Sequence, residues 1–304
     1  MTLFLEPTEA VEADAVLVAG AEPVARSQWE LFRRRFFHHR LAVFGLVVII
    51  LLTVACFTSQ WWLSHSPTDQ DVLLGTTSPS KAHWFGTDQI GRDYFARVME
   101  GGKVSLRLGF FVALISTVVG ATLGSLAGFF GGWIDQLLMR LTDLFLIVPA
   151  IAILAIALKK FGNGPWIITF VLAGLVWMSI ARVVRGQVLS IKEKGFIEAA
   201  RAAGASNFRI ITRHLLPNCI GPIMVNATLA IAGAIVAEST LSFLGYGVRP
   251  PKTSWGNMLS DAKGNYEHDA YLLYFPGLFI LITVLCVNFI GDGLRDAFDP
   301  QAKK

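Results

Sequence analysis

The chain has 304 residues, of which 54% are hydrophobic and only 16% are charged. Soluble domains carry about 25% charge; here the charges lie between long uncharged runs, which excludes an ordinary soluble enzyme and indicates a multi-spanning membrane protein. The formal charge of +4 bears first on orientation in a bilayer, and three cysteines (Cys56, Cys219 and Cys286), each in or beside an apolar run, give neither a disulfide framework nor a zinc spacing.

Residues 1–25 carry five acidic side chains and no Lys or Arg. Without a basic n-region they do not form a signal peptide, and they read as a disordered cytoplasmic tail. Residues 26–57 combine a basic interfacial segment with the first transmembrane helix. Arg26, Arg33, Arg34, Arg35 and Arg40 interleave with Trp29, Phe32, Phe36 and Phe37, a pattern suited to lipid headgroups rather than to nucleic acid. His38 and His39 belong to this cluster, and no metal site is expected.

Six apolar runs follow, at 41–57, 108–130, 141–158, 165–181, 219–244 and 272–290. Each is near the roughly 20 residues that cross a bilayer. Lipid offers the backbone no hydrogen-bond partners, so all six must be helical. The expected fold is an all-α integral membrane protein with six transmembrane helices. Residues 58–103 form an extracytoplasmic segment, and 104–304 form the core of five helices with an internal loop at 182–218.

With the amino terminus inside, the inner segments hold 16 Lys and Arg against 10 outside. Arg182, Arg185, Lys192, Lys194, Arg201, Arg209 and Arg213 crowd the compact 182–218 loop, which weighs most in the positive-inside rule. Both termini and this loop are therefore placed in the cytoplasm.

Within the second span, Ser116, Gly120, Gly124, Gly128 and Gly132 recur every four residues. Such a groove admits a close helix, whether from this chain or from a partner. At the third span, Arg140 and Asp143 are spaced to pair on one face, and Pro149 is expected to kink the helix. Glu238 stands alone in the fifth span, where an ionisable group is costly; it lines a translocation path or belongs to a structural network.

The outer stretches 83–95 and 243–259 mix Trp and Phe anchors with Gly and Pro, as short re-entrant or interfacial elements do. The charges of Gly86-Thr87-Asp88 and Gly91-Arg92-Asp93 read as turn chemistry with local bridges, not as a catalytic pair. Gly102-Lys103 is no phosphate loop, since Arg97 stands where the first glycine belongs and Val104 where Ser or Thr is needed. HExxH and GxSxG motifs are lacking too. The chain reads as non-catalytic, and if its process is ATP-driven the ATPase is another protein.

The inner loop reads as two short helices. One spans 192–203 and ends at Gly204, a left-handed cap; Ser206 caps a second over 207–215, which Pro217 stops. Ala199, Ala200 and Ala203 give the first helix a low-relief face, and Glu198, Arg201 and Arg209 supply charges to fix register against a partner. An ordinary amphipathic surface loop is the alternative.

The spacing Glu198-Ala199-Ala200, Gly204, His214, Leu216 and Pro217 resembles the EAA loop of importer-type ABC permeases. The blocks HWFGTDQIGRD (83–93), GGWIDQLLMRLTD (131–143), ESTLSFLGYGVRPPKTSWGNML (238–259) and GDGLRDAFDP (291–300) resemble the dipeptide/oligopeptide/nickel permease family in its second, C-type subunit. The resemblance covers about residues 30–300 and leaves out the acidic tail. It implies half of a translocation pathway in a bacterial inner membrane, paired with a second homologous permease. Two ATPase subunits carrying ATP and Mg would bind the EAA loops, with no cofactor on this chain, and an extracytoplasmic binding protein would meet 83–93 and 243–259. Import of nickel or another small solute by the same machinery is the alternative within the family. A secondary transporter is the alternative outside it, but inverted repeats and interrupted helices with coupling groups are not evident.

Overall fold

A computed structural model describes residues 28–264 and 267–298. The expected acidic tail at 1–25 lies outside them. Among the described residues there is no strand; a lone bridge joins Thr87 and Asp93. Twelve α-helices can be followed in chain order. The basic aromatic segment forms α1 (Gln28–His38) and the first apolar run forms α2 (Arg40–Trp62). α3 (Tyr94–Phe130) is followed by α4 (Gly132–Ile147), α5 (Ala150–Phe161) and α6 (Pro165–Lys192).

The loop forms α7 (Gly195–Ala202) and α8 (Asn207–Arg209), then a π-helical turn (Ile210–Leu215) and α9 (Leu216–Asn218). Then come α10 (Ile220–Phe243), the short α11 (Trp255–Asp261) and α12 (Tyr271–Phe298).

Five of these helices, α2, α3, α6, α10 and α12, are long and apolar enough to cross a membrane. The third expected span, at 141–158, is broken. α4 and α5 meet at 87°, because Pro149 forces Val148 into extended backbone (ψ 132°) and has no N–H to continue the ladder. Pro149 ends the helix rather than kinking it.

α3 is 37 residues long, about 55 Å at 1.5 Å per residue, against a hydrocarbon thickness of roughly 30 Å. The expected boundary between residues 103 and 104 therefore falls inside a helix, whose start is fixed by Asp93. That carboxylate accepts the Ala96 amide at 2.8 Å as an N-cap. α6 likewise outruns its expected end at 181. Its arginines found carboxylate partners on α4: Arg182 on Asp143, and Arg185 on Asp135. Asp143 thus pairs across helices, not with Arg140.

The glycine groove is filled from within the chain. A Cβ added at Gly124 would lie 2.4 Å from the Ala181 carbonyl oxygen, and one at Gly120 would lie 2.7 Å from that of Trp177. At Gly128 it would lie 2.9 Å from Val188 Cβ. α3 and α6 therefore cross at a distance no side chain permits, and dispersion contacts between them hold the bundle where lipid supplies no hydrophobic drive. α10 packs on α3 and α12, and α12 packs on α2. Trp255 was expected as an interfacial anchor. It is fully buried instead, its indole N–H donating to the Val98 carbonyl at 2.9 Å, so α11 is wedged among α3, α10 and α12.

Candidate functional site

The loop between α6 and α10 is built to hold a small helix at one end of the bundle. α6 runs about three turns past its expected end and stops at Lys192, whose ammonium donates to the Gly128 carbonyl at the end of α3 (3.2 Å). Glu193 and Lys194 turn the chain, and α7 begins at Gly195 rather than at 192. Eight residues are too few for a stable isolated helix. α7 is held by Ile197, 0% exposed, which joins Val188, Ile191, Ile210, Leu215 and Phe129 in one apolar cluster.

Both ends of α7's exit are capped as the sequence indicates. Gly204 has φ 79°, in the left-handed region, and its amide donates to Arg201 O at 2.9 Å. The next amide, of Ala205, donates to Ala200 O at 3.0 Å. These two bonds make a Schellman closure. Ser206 Oγ then accepts the Arg209 amide at 3.4 Å and caps the second helix.

That second helix does not stop before Pro217. It widens into the π-helical turn, in which the Leu216 amide reaches back to Ile211 O. The wider turn passes Pro217, which lacks an amide, and the chain stays helical to Asn218.

The predicted docking residues sort by exposure. Glu198, Ala199, Arg201, Gly204 and Pro217 are exposed. Ala200, His214 and Leu216 are half-buried, so Ala200 only partly joins the low-relief face, which Ala199, Ala202, Ala203 and Gly204 form. Arg201 lies with its guanidinium 5.4 Å from the Phe129 ring centroid, a cation–π contact back onto its own chain. The His214 carbonyl accepts from Asn218 Nδ2 at 2.6 Å. Three residues were not singled out from sequence. Ile197 is the inward anchor, and its signal was the recurrence of Ile197, Ile210 and Leu215 through a polar stretch. Phe196 and Phe208, 43% and 77% exposed, stand before and after the small-residue stretch along the chain; an aromatic in a polar loop was their signal.

Glu238 is fully buried between α10 and α11. Its Oε1 accepts from Ser242 Oγ at 2.6 Å and from Ser254 Oγ at 2.7 Å. Ser254 is also the N-cap of α11, accepting the Asn257 amide at 3.1 Å. The carboxyl group therefore pins α11 to α10.

The far end of α3 carries a second polar cluster. Buried Asp88 accepts the amides of Ile90 and Arg92 (3.1 and 3.0 Å), Arg92 Nε (2.7 Å) and Arg97 Nη1 (2.5 Å). Arg97 also reaches Asp261 of α11 at 3.5 Å. Burial alone would raise the Asp88 pKa. Arg97 and the Arg92 amide and guanidinium overcome that and hold it below the usual carboxylate range. The Gly-Thr-Asp and Gly-Arg-Asp turns thus carry structural charges. Sequence reasoning expected no metal ligands, yet His65, His83 and Asp93 also converge at this end.

Residues 120–304 match the family described as the binding-protein-dependent transport system inner membrane component. The chain belongs to this family. Residues 27–78 match a second model, the N-terminal TM domain of oligopeptide transport permease C. A putative peptide permease protein of Brucella suis is 42% identical over 287 residues, covering 94% of this chain and 93% of the relative. Oligopeptide transport system permease protein OppC of Haemophilus influenzae is 38% identical over 293 residues (96% and 94%). That of Mycobacterium bovis is 39% identical over 279 (91% and 96%).

Among solved structures, the MetNI methionine ABC transporter in an inward-facing conformation superposes with a TM-score of 0.55 at 21% identity. The match covers 66% of this chain and 94% of that one, which shows a shared fold. As an inner membrane component of a binding-protein-dependent transport system, the chain is a multi-pass membrane permease, and its α7 loop lies within the family-matched part.

Proposed function

We propose that the chain forms half of the translocation pathway of an ATP-driven oligopeptide importer and that α7 is where separate ATPase subunits engage it. The observation that carries this reading is the build of α7. It is anchored inward by one buried isoleucine and closed by Gly204. Outward it presents Ala199, Ala202, Ala203 and Gly204, with an exposed phenylalanine before and after them along the chain. A low-relief exposed face with exposed phenylalanines on the same loop suits insertion into a groove of another protein, with the phenylalanines as anchors. On this reading the loop and both termini are cytoplasmic, in a bacterial inner membrane.

A second homologous permease completes the pathway. An extracytoplasmic binding protein meets the end that carries residues 83–93 and 243–259. ATP and Mg belong to the ATPases. Glu238, sealed between α10 and α11, is a structural tie on this reading, not a path-lining group. The peptide class rests on the names of the relatives.

The test uses the complex reconstituted in proteoliposomes. Ala203→Trp adds bulk without backbone strain, and Gly204→Trp adds both. Each should leave insertion intact while lowering peptide uptake per ATP hydrolysed by tenfold or more; unchanged coupling in Ala203→Trp removes the docking assignment. Uptake of labelled peptides of graded length, with nickel as competitor, tests the cargo. Uptake of nickel but of no peptide overturns that part alone.

A further inference from the structure

At the end of the bundle opposite α7, three potential metal ligands meet. His65 follows α2, His83 lies in the connecting segment, and Asp93 begins α3. One ligand atom from each lies within 4.8 Å of the others. His83 Nδ1 and Asp93 Oδ2 are already 2.9 Å apart, and the two imidazole rings lie 4.8 Å apart, centroid to centroid. Residues Trp62, Leu63, Trp84 and Phe95 help wall a hollow of about 130 Å³ that His65 and Asp93 also line, room for an ion with several waters at about 10–15 Å³ of such space each.

We propose that His65, His83 and Asp93 bind a divalent cation of the zinc type. Two imidazoles and one carboxylate are a borderline donor set, which suits zinc, nickel or copper and not magnesium or calcium. Around a tetrahedral zinc with bonds of about 2.0–2.2 Å, donor atoms stand roughly 3.3 Å apart. The His83–Asp93 pair is near that spacing, and the ion replaces the proton the two now share. The exposed His65 ring closes on them.

The outer contacts are in place. His65 Nε2 lies 3.2 Å from the Ala82 carbonyl; a proton held there leaves Nδ1 free to ligate. Asp93 Oδ1 stays engaged with the Ala96 amide at 2.8 Å, which fixes the carboxylate for Oδ2 to bind. Lys81 is the cation on the rim of the hollow. It is exposed, and its flexible stem lets the ammonium stay in water. The bound ion would clip the exit of α2 to the start of α3, fixing the 63–93 segment that joins them.

The experiment uses the assembled complex in nanodiscs, stripped with chelator, titrated calorimetrically with zinc chloride and, in parallel, followed by visible absorption with cobalt chloride. One equivalent of zinc per chain is expected, with cobalt bands of a tetrahedral nitrogen–oxygen site. His65→Ala and His83→Ala should each weaken binding at least tenfold, since even an outer-shell partner costs about 10–100-fold. His65 is exposed, so His65→Ala decides the matter even if His83→Ala fails to assemble. His268→Ala, at another exposed histidine, should change nothing. Absence of stoichiometric uptake, or an equal loss in His268→Ala, overturns the assignment.

Discussion

Ile197→Ala tests most directly how α7 is held. The side chain is 0% exposed and is the buried residue of an eight-residue helix. Truncating a buried isoleucine to alanine costs about 2–5 kcal/mol. A second side-chain tie from α7 is the Arg201–Phe129 contact, worth about 0.5–1 kcal/mol at an exposed site. A loss of 2 kcal/mol or more shifts the ratio of docked to undocked helix by roughly thirtyfold or more, at 1.4 kcal/mol per factor of ten.

The helix undocks while the α3–α6 crossing, far larger and glycine-fitted, stays formed. Hydrogen exchange in the reconstituted complex reads this out. The amides of Ala203, Gly204 and Ala205, now bonded to Ala199, Arg201 and Ala200, should lose protection while those of α3 keep theirs. Transport per ATP should fall in parallel. Ile197→Leu, which conserves volume, should cost less than about 1.5 kcal/mol and keep both. If Ile197→Ala leaves exchange and coupling unchanged, the buried isoleucine does not position α7 and the reasoning fails.

Gly124→Val forces a branched side chain against the Ala181 backbone and should destabilise the detergent-solubilised protein by about 1–3 kcal/mol; a thermal midpoint equal to wild type refutes the close crossing. Glu238→Ala strands two buried serine hydroxyls, each costing about 1–3 kcal/mol, and should lower assembled yield on size-exclusion chromatography. Glu238→Gln keeps an acceptor at Oε1 and should retain both yield and uptake, whereas loss of uptake with normal yield places the carboxylate on the path. Asp88 has a lowered folded pKa, so its stabilisation is complete above the unfolded value of about 3.9 and is lost as pH falls through the folded one. Exchange protection around residues 75–93 should therefore persist at about pH 4.5 and collapse only below the ordinary Asp range, a fall already at pH 5 counting against this. A double-mutant cycle on Asp135 and Arg185 should show coupling of about 0.5–3 kcal/mol in stability, and additive single variants would make the pair incidental.

The helical class, the apolar runs and the caps at Gly204 and Ser206 were legible because each follows from local composition or from one backbone conformation. What was not legible depended on partners distant in sequence. Nothing in the 165–181 run announces that α6 continues to Lys192, since Arg182 and Arg185 look like the end of a span until Asp143 and Asp135 are seen opposite them. The glycine repeat showed that a helix would approach but not which one; the α6 backbone at Trp177 and Ala181 answers that. Trp255 has the composition of an interfacial anchor and becomes a core residue only because Val98 offers its carbonyl 157 positions away. The convergence of His65, His83 and Asp93 escaped sequence reading for the same reason: their spacing of 18 and 10 residues matches no ligand motif until the 63–93 segment folds back on itself.

These long-range ties also bear on how a push on α7 would travel. The base of the loop is crossed by three polar links, Arg185 to Asp135, Arg182 to Asp143 and Lys192 to the Gly128 carbonyl. They join α6 to α4 and to the end of α3, next to the Phe129 ring on which Arg201 rests. α4 leads directly to the break at Val148–Pro149, where backbone hydrogen bonding is interrupted and the helix direction changes by 87°. A displacement of α7 therefore meets a stiff body, α3 clasped to α6 through glycines, and one hinged element, α4 with α5. A stiff body transmits motion and a break absorbs it, so on the proposed reading ATP-driven movement of α7 tilts α3 and α6 as a unit while the angle between α4 and α5 changes.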